Sequence, residues 1–300
     1  MPVPTRAILK VTTRCNQRCR FCRVTPLRGQ VPDPPAADVM RKAAVARDLG
    51  AAEILLSGGE PTMRADLPAI ARAIRAMGLG FGLVTNGRRL AYRPYRDRLL
   101  SQGLAYVHTS LHGASAATHD AVACDGGFRQ VMAAIDGLRG TGVDLHVNTV
   151  VCGPNVAELA AISDLLAPRG PLTHKLCLAE PRGAFAEHET DLLVRPDDVG
   201  RACVDAVVRA RAAYAGTGLA TVVEGFPLCQ VRGAEDALSG LRSHGILWMS
   251  EPDERDLFPT DDGERTYPPA CAACGARARC PGVYVGYAER FGAEGLAAYP

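Results

Sequence analysis

Short apolar, β-branched runs alternate with helix-length segments over the first two thirds of the chain, which predicts an α/β fold: a partial (β/α)6 TIM-like barrel. Past residue 215 the alternation gives way to Gly, Pro, acidic residues and clustered cysteines, so a small C-terminal cap domain is expected. The predicted domains are 1–215 and 216–300.

The strand pattern falls at 7–12, 53–57, 80–85, 106–110, 145–151 and 173–179. Between these runs, segments 38–49, 65–77, 128–138 and 156–166 have the length and apolar spacing of helices. A further helix is expected over 196–214, with Pro196 in its first turn, where the missing N–H has no helical partner to lose. Right-handed crossovers curl six such units into a parallel sheet, whose chemistry gathers at the C-terminal strand ends.

With 47% hydrophobic residues, a chain of 300 can bury a sizeable core. Lys plus Arg (34) nearly balances Asp plus Glu (32), so no global field favours nucleic acid or an anionic membrane. The first residues lack a signal-peptide pattern, and no apolar run approaches the roughly 18 residues of a membrane helix. A cytoplasmic protein is therefore expected, with no nucleic-acid partner, no membrane association and 11 reduced cysteines available for metal.

Cys15, Cys19 and Cys22 follow the first predicted strand with the spacing Cys-x3-Cys-x2-Cys. Three soft thiolates on one loop can wrap a cubane and leave its fourth iron open; a zinc knuckle or simple core packing are the alternatives. With Phe21 just before the third cysteine, the motif resembles the signature of the radical S-adenosylmethionine (SAM) superfamily. Gly58-Gly59-Glu60-Pro61, after the second predicted strand, resembles that family's SAM-binding turn, where glycines permit close backbone approach. The resemblance implies a 4Fe–4S cluster on the three cysteines, SAM chelated at its open iron, and the methionine amino group received at Glu60. It further implies SAM contacts at Thr85, Ser110 and Asn148 and an electron donor of flavodoxin or ferredoxin type.

Cys229, Cys271, Cys274 and Cys280 form a separate set, and four thiolates saturate either a second cluster or a structural zinc. The set resembles the twitch-type cap of radical SAM dehydrogenases and maturases, which implies an auxiliary 4Fe–4S cluster in an iron–sulfur cap domain. Cys203, on a helical stripe with Val199 and Val207, and Cys177, in the sixth predicted strand, are expected to pack in the core. Burial is also expected for Cys124 and Cys152.

Segment 251–264 carries Glu251, Asp253, Glu254, Asp256, Asp261, Asp262 and Glu264 against Arg255 alone. Such a run is usually a solvated loop, but beside a radical site it would attract a polycationic small molecule such as an aminoglycoside. The early position of Cys15 argues against a peptide-recognition domain ahead of it. Short barrel, single auxiliary set and acidic segment together resemble radical SAM epimerases of the neomycin C to neomycin B type. That resemblance implies hydrogen abstraction from a sugar carbon and hydrogen return from a thiol. The donor cysteine is expected between Cys229 and Cys271, where the sequence has none. Met249 stands at the suspected position of a replaced donor and has no S–H to give. The competing expectations are dehydrogenation of an aminoglycoside or sugar alcohol and maturation of a peptide. A metal-binding module without radical chemistry is disfavoured by the intact Gly59 and Glu60.

Overall fold

The computed structural model describes residues 3–123, 126–260 and 264–300. At its centre β1 (Arg6–Lys10), β2 (Glu53–Ser57), β3 (Gly80–Val84), β4 (Leu104–Ser110), β5 (Asp144–Val151) and β6 (Leu172–Leu178) lie side by side in chain order, each parallel to the next. The connections carry α1 (Ala36–Asp48), α2 (Leu67–Ala76), α3 (Arg93–Ser101), α4 (Ala116–Val122), α5 (Gly127–Leu138), α6 (Leu159–Leu166), α7 (Glu189–Leu192) and α8 (Pro196–Ala213). All six predicted strands and five predicted helices are present, with ends displaced by a few residues. The patterning did not announce α3, because its sequence holds no apolar stripe and buries only Leu99.

The strand period of two separates outside from inside. On β1, Ala7 and Leu9 pack in the main core with Ile54, Leu56, Phe81 and Leu83, while Ile8 belongs to an inner cluster with Leu55, Tyr106 and Ile246. Truncating the fully buried Leu9 to Ala would cost about 2–5 kcal/mol through the lost transfer energy and the cavity left behind.

The sheet runs through the boundary predicted at residue 216. Next to β6 lies β7 (Leu219–Glu224), then the two-residue β8 (Leu238–Ser239), both parallel. β9 (Ile246–Ser250) returns to the opposite edge, parallel to β1, and β10 (Phe258–Pro259) pairs antiparallel with it. These strands are short, β-competent runs in polar, Gly-rich surroundings. Pairing with an existing sheet edge supplies the stability their own pattern lacks.

Only after β10 does the chain leave the sheet, as a hairpin of β11 (Arg265–Thr266) and β12 (Val283–Tyr284) leading into α9 (Val285–Phe291). Val283 and Tyr287 share a core with Val199, Cys203 and Val207 of α8 and with Phe226, so both sides of residue 216 contribute to one packed cluster. No helix among the described residues is long and apolar enough to cross a membrane.

Candidate active site

The cysteine loop leaves β1 at the C-terminal edge of the sheet and is pinned by the turn after β2. Gly59 N donates to Thr12 O at 2.7 Å and Glu60 N to Arg14 O at 2.8 Å. No larger residue fits: a Cβ on Gly58, whose φ is +126°, would lie 2.2 Å from Thr12 O, and one on Gly59 2.3 Å from Arg14 O. Cys15, Cys19 and Cys22 are all partly exposed on this loop, and Gln17 N donates to Cys15 Sγ at 3.4 Å. Among the described residues no three His, Cys, Asp or Glu side chains converge to hold a single metal ion.

Glu60 is fully buried. Its Oε1 accepts from Thr62 N at 3.0 Å, Thr62 Oγ1 at 2.6 Å and Thr85 Oγ1 at 2.8 Å, and its Oε2 accepts from Asn86 N at 2.7 Å. Burial pushes the carboxyl above its ordinary pKa, against the opposing pull of these hydrogen bonds. Thr85, expected from the resemblance to contact SAM, is occupied here in fixing Glu60 and in accepting from Gly87 N at 3.1 Å. Pro61 follows Glu60 as the first residue of a short 3-10 turn.

Asn86 was missed by sequence reasoning although the Thr85-Asn86-Gly87 turn at a strand end was visible. Its amide reaches Asn16 Oδ1 at 2.7 Å and Cys15 Sγ at 3.8 Å, which ties the third strand end to the cysteine loop. Ser110, the last residue of β4, is the register partner of Asn148 in the middle of β5, and the buried Asn148 Oδ1 has no hydrogen-bond partner among the described residues. Phe21 packs edge-on to His112 with 4.8 Å between centroids, and His112 stacks on His119. Burial drives both imidazoles down, His119 to about 4, so this support is uncharged.

These features fit the cofactor pair the motif implies. Backbone stripped of side chains presses on the cysteine loop, a buried carboxylate stands after the end of β2, and an unpartnered amide oxygen stands in β5 opposite the last residue of β4.

Beyond Cys22 the chain opens onto a cavity of about 490 Å³, lined in part by Lys10, Glu180, Glu224, Met249, Glu251 and Tyr284. Its carboxylates are matched: Glu251 pairs with Lys10, Glu224 with Lys175 at 2.7 Å, and Glu180 with Arg23 at 2.8 Å. The acidic run expected to face a polycation does not act as a unit. Glu251 reaches the cavity, Glu264 pairs with Arg182, and Asp261 and Asp262 lie outside the described residues. Met249 does line the cavity, beside Ile8 in the β1–β9 register.

Cys229, Cys271, Cys274 and Cys280 come together from two segments of chain to line one small cavity with Leu228, Tyr267 and Tyr299. Cys203 and Cys152 are buried, as expected, and Cys124 lies outside the described residues. Cys177 departs from expectation: it stands one residue from the end of β6, partly exposed, with its thiol donating to Glu224 Oε1 at 3.7 Å. Burial and the Glu224 carboxylate push that thiol up, so it stays protonated.

The curated relatives found by sequence include a PqqA peptide cyclase of Ruegeria pomeroyi, 28% identical over 64% of this chain and 52% of its own length. An AdoMet-dependent heme synthase of Methanosarcina barkeri is 29% identical over 64% of this chain and 54% of its length. The chain thus spans about half the length of these relatives. Among solved structures, Streptococcus suis SuiB bound to S-adenosylmethionine superposes with a TM-score of 0.67 at 17% identity, covering 86% of this chain and 60% of that one. The likeness shows the fold of the sheet and its surrounding helices. Residues 9–166, which include the end of β1, the cysteine loop, the Gly-Gly-Glu-Pro turn and β2 to β5, match the Radical SAM superfamily model, and the chain belongs to that superfamily.

Proposed function

We propose that the chain is a radical SAM oxidoreductase that removes hydrogen from a peptide substrate without returning it. Met249 carries this reading. It lines the cavity where hydrogen return would need a thiol, and a thioether has no S–H. The PqqA peptide cyclase relative supports a peptide, and so does the charge-matched cavity, which offers both cations and carboxylates rather than the uniform acid a polycation would require.

When bound, a cluster with one open iron supplies the electron that splits SAM, and the 5'-deoxyadenosyl radical so released takes a hydrogen atom from the substrate. Cys15, Cys19 and Cys22 are the proposed ligands of that cluster. Gly58 and Gly59 hold the loop close, and Glu60, Ser110 and Asn148 are the proposed SAM contacts, with Thr85 positioning Glu60. Cys229, Cys271, Cys274 and Cys280 are the proposed ligands of an auxiliary 4Fe–4S cluster in a cap built from residues after 216. Saturated by four thiolates, such a cluster would supply an acceptor for the electron left on the substrate as a proton leaves to water. The substrate then loses two hydrogens, and a flavodoxin or ferredoxin-type protein supplies the first electron.

Cys177 favours a second reading. Its protonated thiol touches Glu224 of the cavity wall, so it can give a hydrogen atom to the substrate radical and then recover one electron from the reductant and one proton from water. The reaction would then be an epimerisation, as expected of an aminoglycoside enzyme. The test is product mass with SAM and reductant in deuterated water, comparing a peptide library with neomycin-type aminoglycosides. Stimulated 5'-deoxyadenosine formation with a peptide that loses two hydrogens supports the oxidoreductase. An aminoglycoside product that differs only by one solvent deuteron overturns it in favour of epimerisation.

A further inference from the structure

Residues 296–300 lie across the mouth of the second cysteine set. Leu296, Ala297, Ala298 and Tyr299 complete the wall of the cavity that holds Cys229, Cys271, Cys274 and Cys280. The segment also meets a sulfur directly: Tyr299 N donates to Cys274 Sγ at 3.3 Å. From the opposite side, Leu228 N and Gly282 N donate to Cys280 Sγ at 3.4 and 3.5 Å. Backbone amides aimed at sulfur stabilise thiolate charge and set the properties of any cluster they surround.

The same five residues are clamped from outside. Arg232 Nη2 donates to Ala297 O at 2.9 Å and Ala298 O at 2.8 Å, and its guanidinium lies 4.3 Å over the Tyr299 ring. Tyr299 OH donates to Leu228 O at 3.1 Å, beside the first cysteine of the set, and to Glu235 Oε1 at 2.8 Å. Gly275, between Cys274 and Cys280, donates to Tyr299 O at 3.1 Å and has no room for a side chain, since a Cβ there would lie 2.2 Å from Pro300 O. A segment of simple packing would not need so many directed contacts to one thiol set.

We infer that residues 296–300 are a seal of the auxiliary cluster site: the Tyr299 amide bonds one of its thiolates, Leu296 to Tyr299 wall the cavity, and Arg232 latches them there so that oxidants and chelators are kept out. The inference rests on the proposed auxiliary cluster and extends it to residues that no cysteine motif contains. Its role concerns persistence of the second cluster and leaves the first untouched.

The experiment uses the anaerobically reconstituted chain of residues 1–300, a variant lacking residues 296–300, and Arg232→Ala. Iron and sulfide content is measured first, then the loss of visible absorbance on exposure to air and to EDTA. The seal predicts about eight irons per chain in the wild type, with loss of the second half of the absorbance accelerated at least about tenfold by the deletion and less by Arg232→Ala. SAM-induced spectral change at the first cluster should be the same in all three. Eight irons with equal rates in wild type and both variants would overturn the seal alone. Only about four irons in the wild type would remove the auxiliary cluster and the seal together. If the deletion does not assemble its second cluster, Arg232→Ala decides, with an unchanged rate counting against the latch.

Discussion

Thr85 Oγ1 donates a 2.8 Å hydrogen bond to the fully buried Glu60 Oε1, so the end of β3 fixes the one carboxylate presented by the turn after β2. Thr85→Val removes that donor at nearly constant shape. SAM binding is expected to weaken by about 1.5–3 kcal/mol, the worth of a hydrogen bond to a charged group, while iron content stays at the wild-type level. Equilibrium binding of SAM together with iron analysis checks both halves.

Gly59→Ala places a methyl group on Arg14 O, a backbone atom that cannot swing away. The turn must separate from the cysteine loop, and iron incorporation and SAM binding should fall together by at least about tenfold. Wild-type SAM affinity in this variant would show that the contact between turn and loop is dispensable.

Met249→Cys puts a thiol on the cavity wall beside Ile8. For any substrate that the wild type oxidises, the variant should release product of unchanged mass carrying one deuteron from deuterated water. Met249→Leu should keep the oxidised product. Mass spectrometry of the two reactions separates a missing donor from a merely altered pocket.

Burial lowers five of the histidines from an ordinary 6.5: His108 and His112 well below it, His119 and His244 to about 4, and His174 to about 3. A folded-state value below the unfolded one means stability is complete above about pH 6.5 and declines as pH falls toward the folded values. Between pH 7 and 5 each such histidine should cost the fold about 2 kcal/mol, because the unfolded chain takes up a proton that the folded chain refuses. Urea unfolding at the two pH values measures the sum. His174→Gln, which loses the bonds to Thr149 and Ser163, should be less stable at pH 7 but fall less on acidification.

The barrel was legible because β1 to β6 are apolar, β-branched runs separated by helix-length segments, and the cysteine loop and Gly-Gly-Glu-Pro turn announced the edge where chemistry gathers. Strands β7 and β9 were not, since short runs in Gly- and acid-rich sequence become strands only by pairing with edges already built. The cavity wall was hidden for a different reason. Lys10, Glu224 and Glu251 are far apart in sequence and meet only where β1, β7 and β9 end. Cys177 looked like core because mid-strand apolar residues usually are. The actual end of β6 puts its thiol next to Glu224 instead. Met249, singled out in the apolar run 246–249 as the place to look for a donor, lines the cavity, and its role awaits the variant experiments.

The most direct test of the whole account is electron paramagnetic resonance of the reduced, anaerobically reconstituted protein with Cys229, Cys271, Cys274 and Cys280 all replaced by Ala, recorded before and after SAM is added. A single 4Fe–4S signal that changes shape on binding SAM, and disappears when Cys15, Cys19 and Cys22 are replaced, is the predicted result. A spectrum without a cubane signal, or one indifferent to SAM, would contradict the assignment of an open iron to the loop after β1.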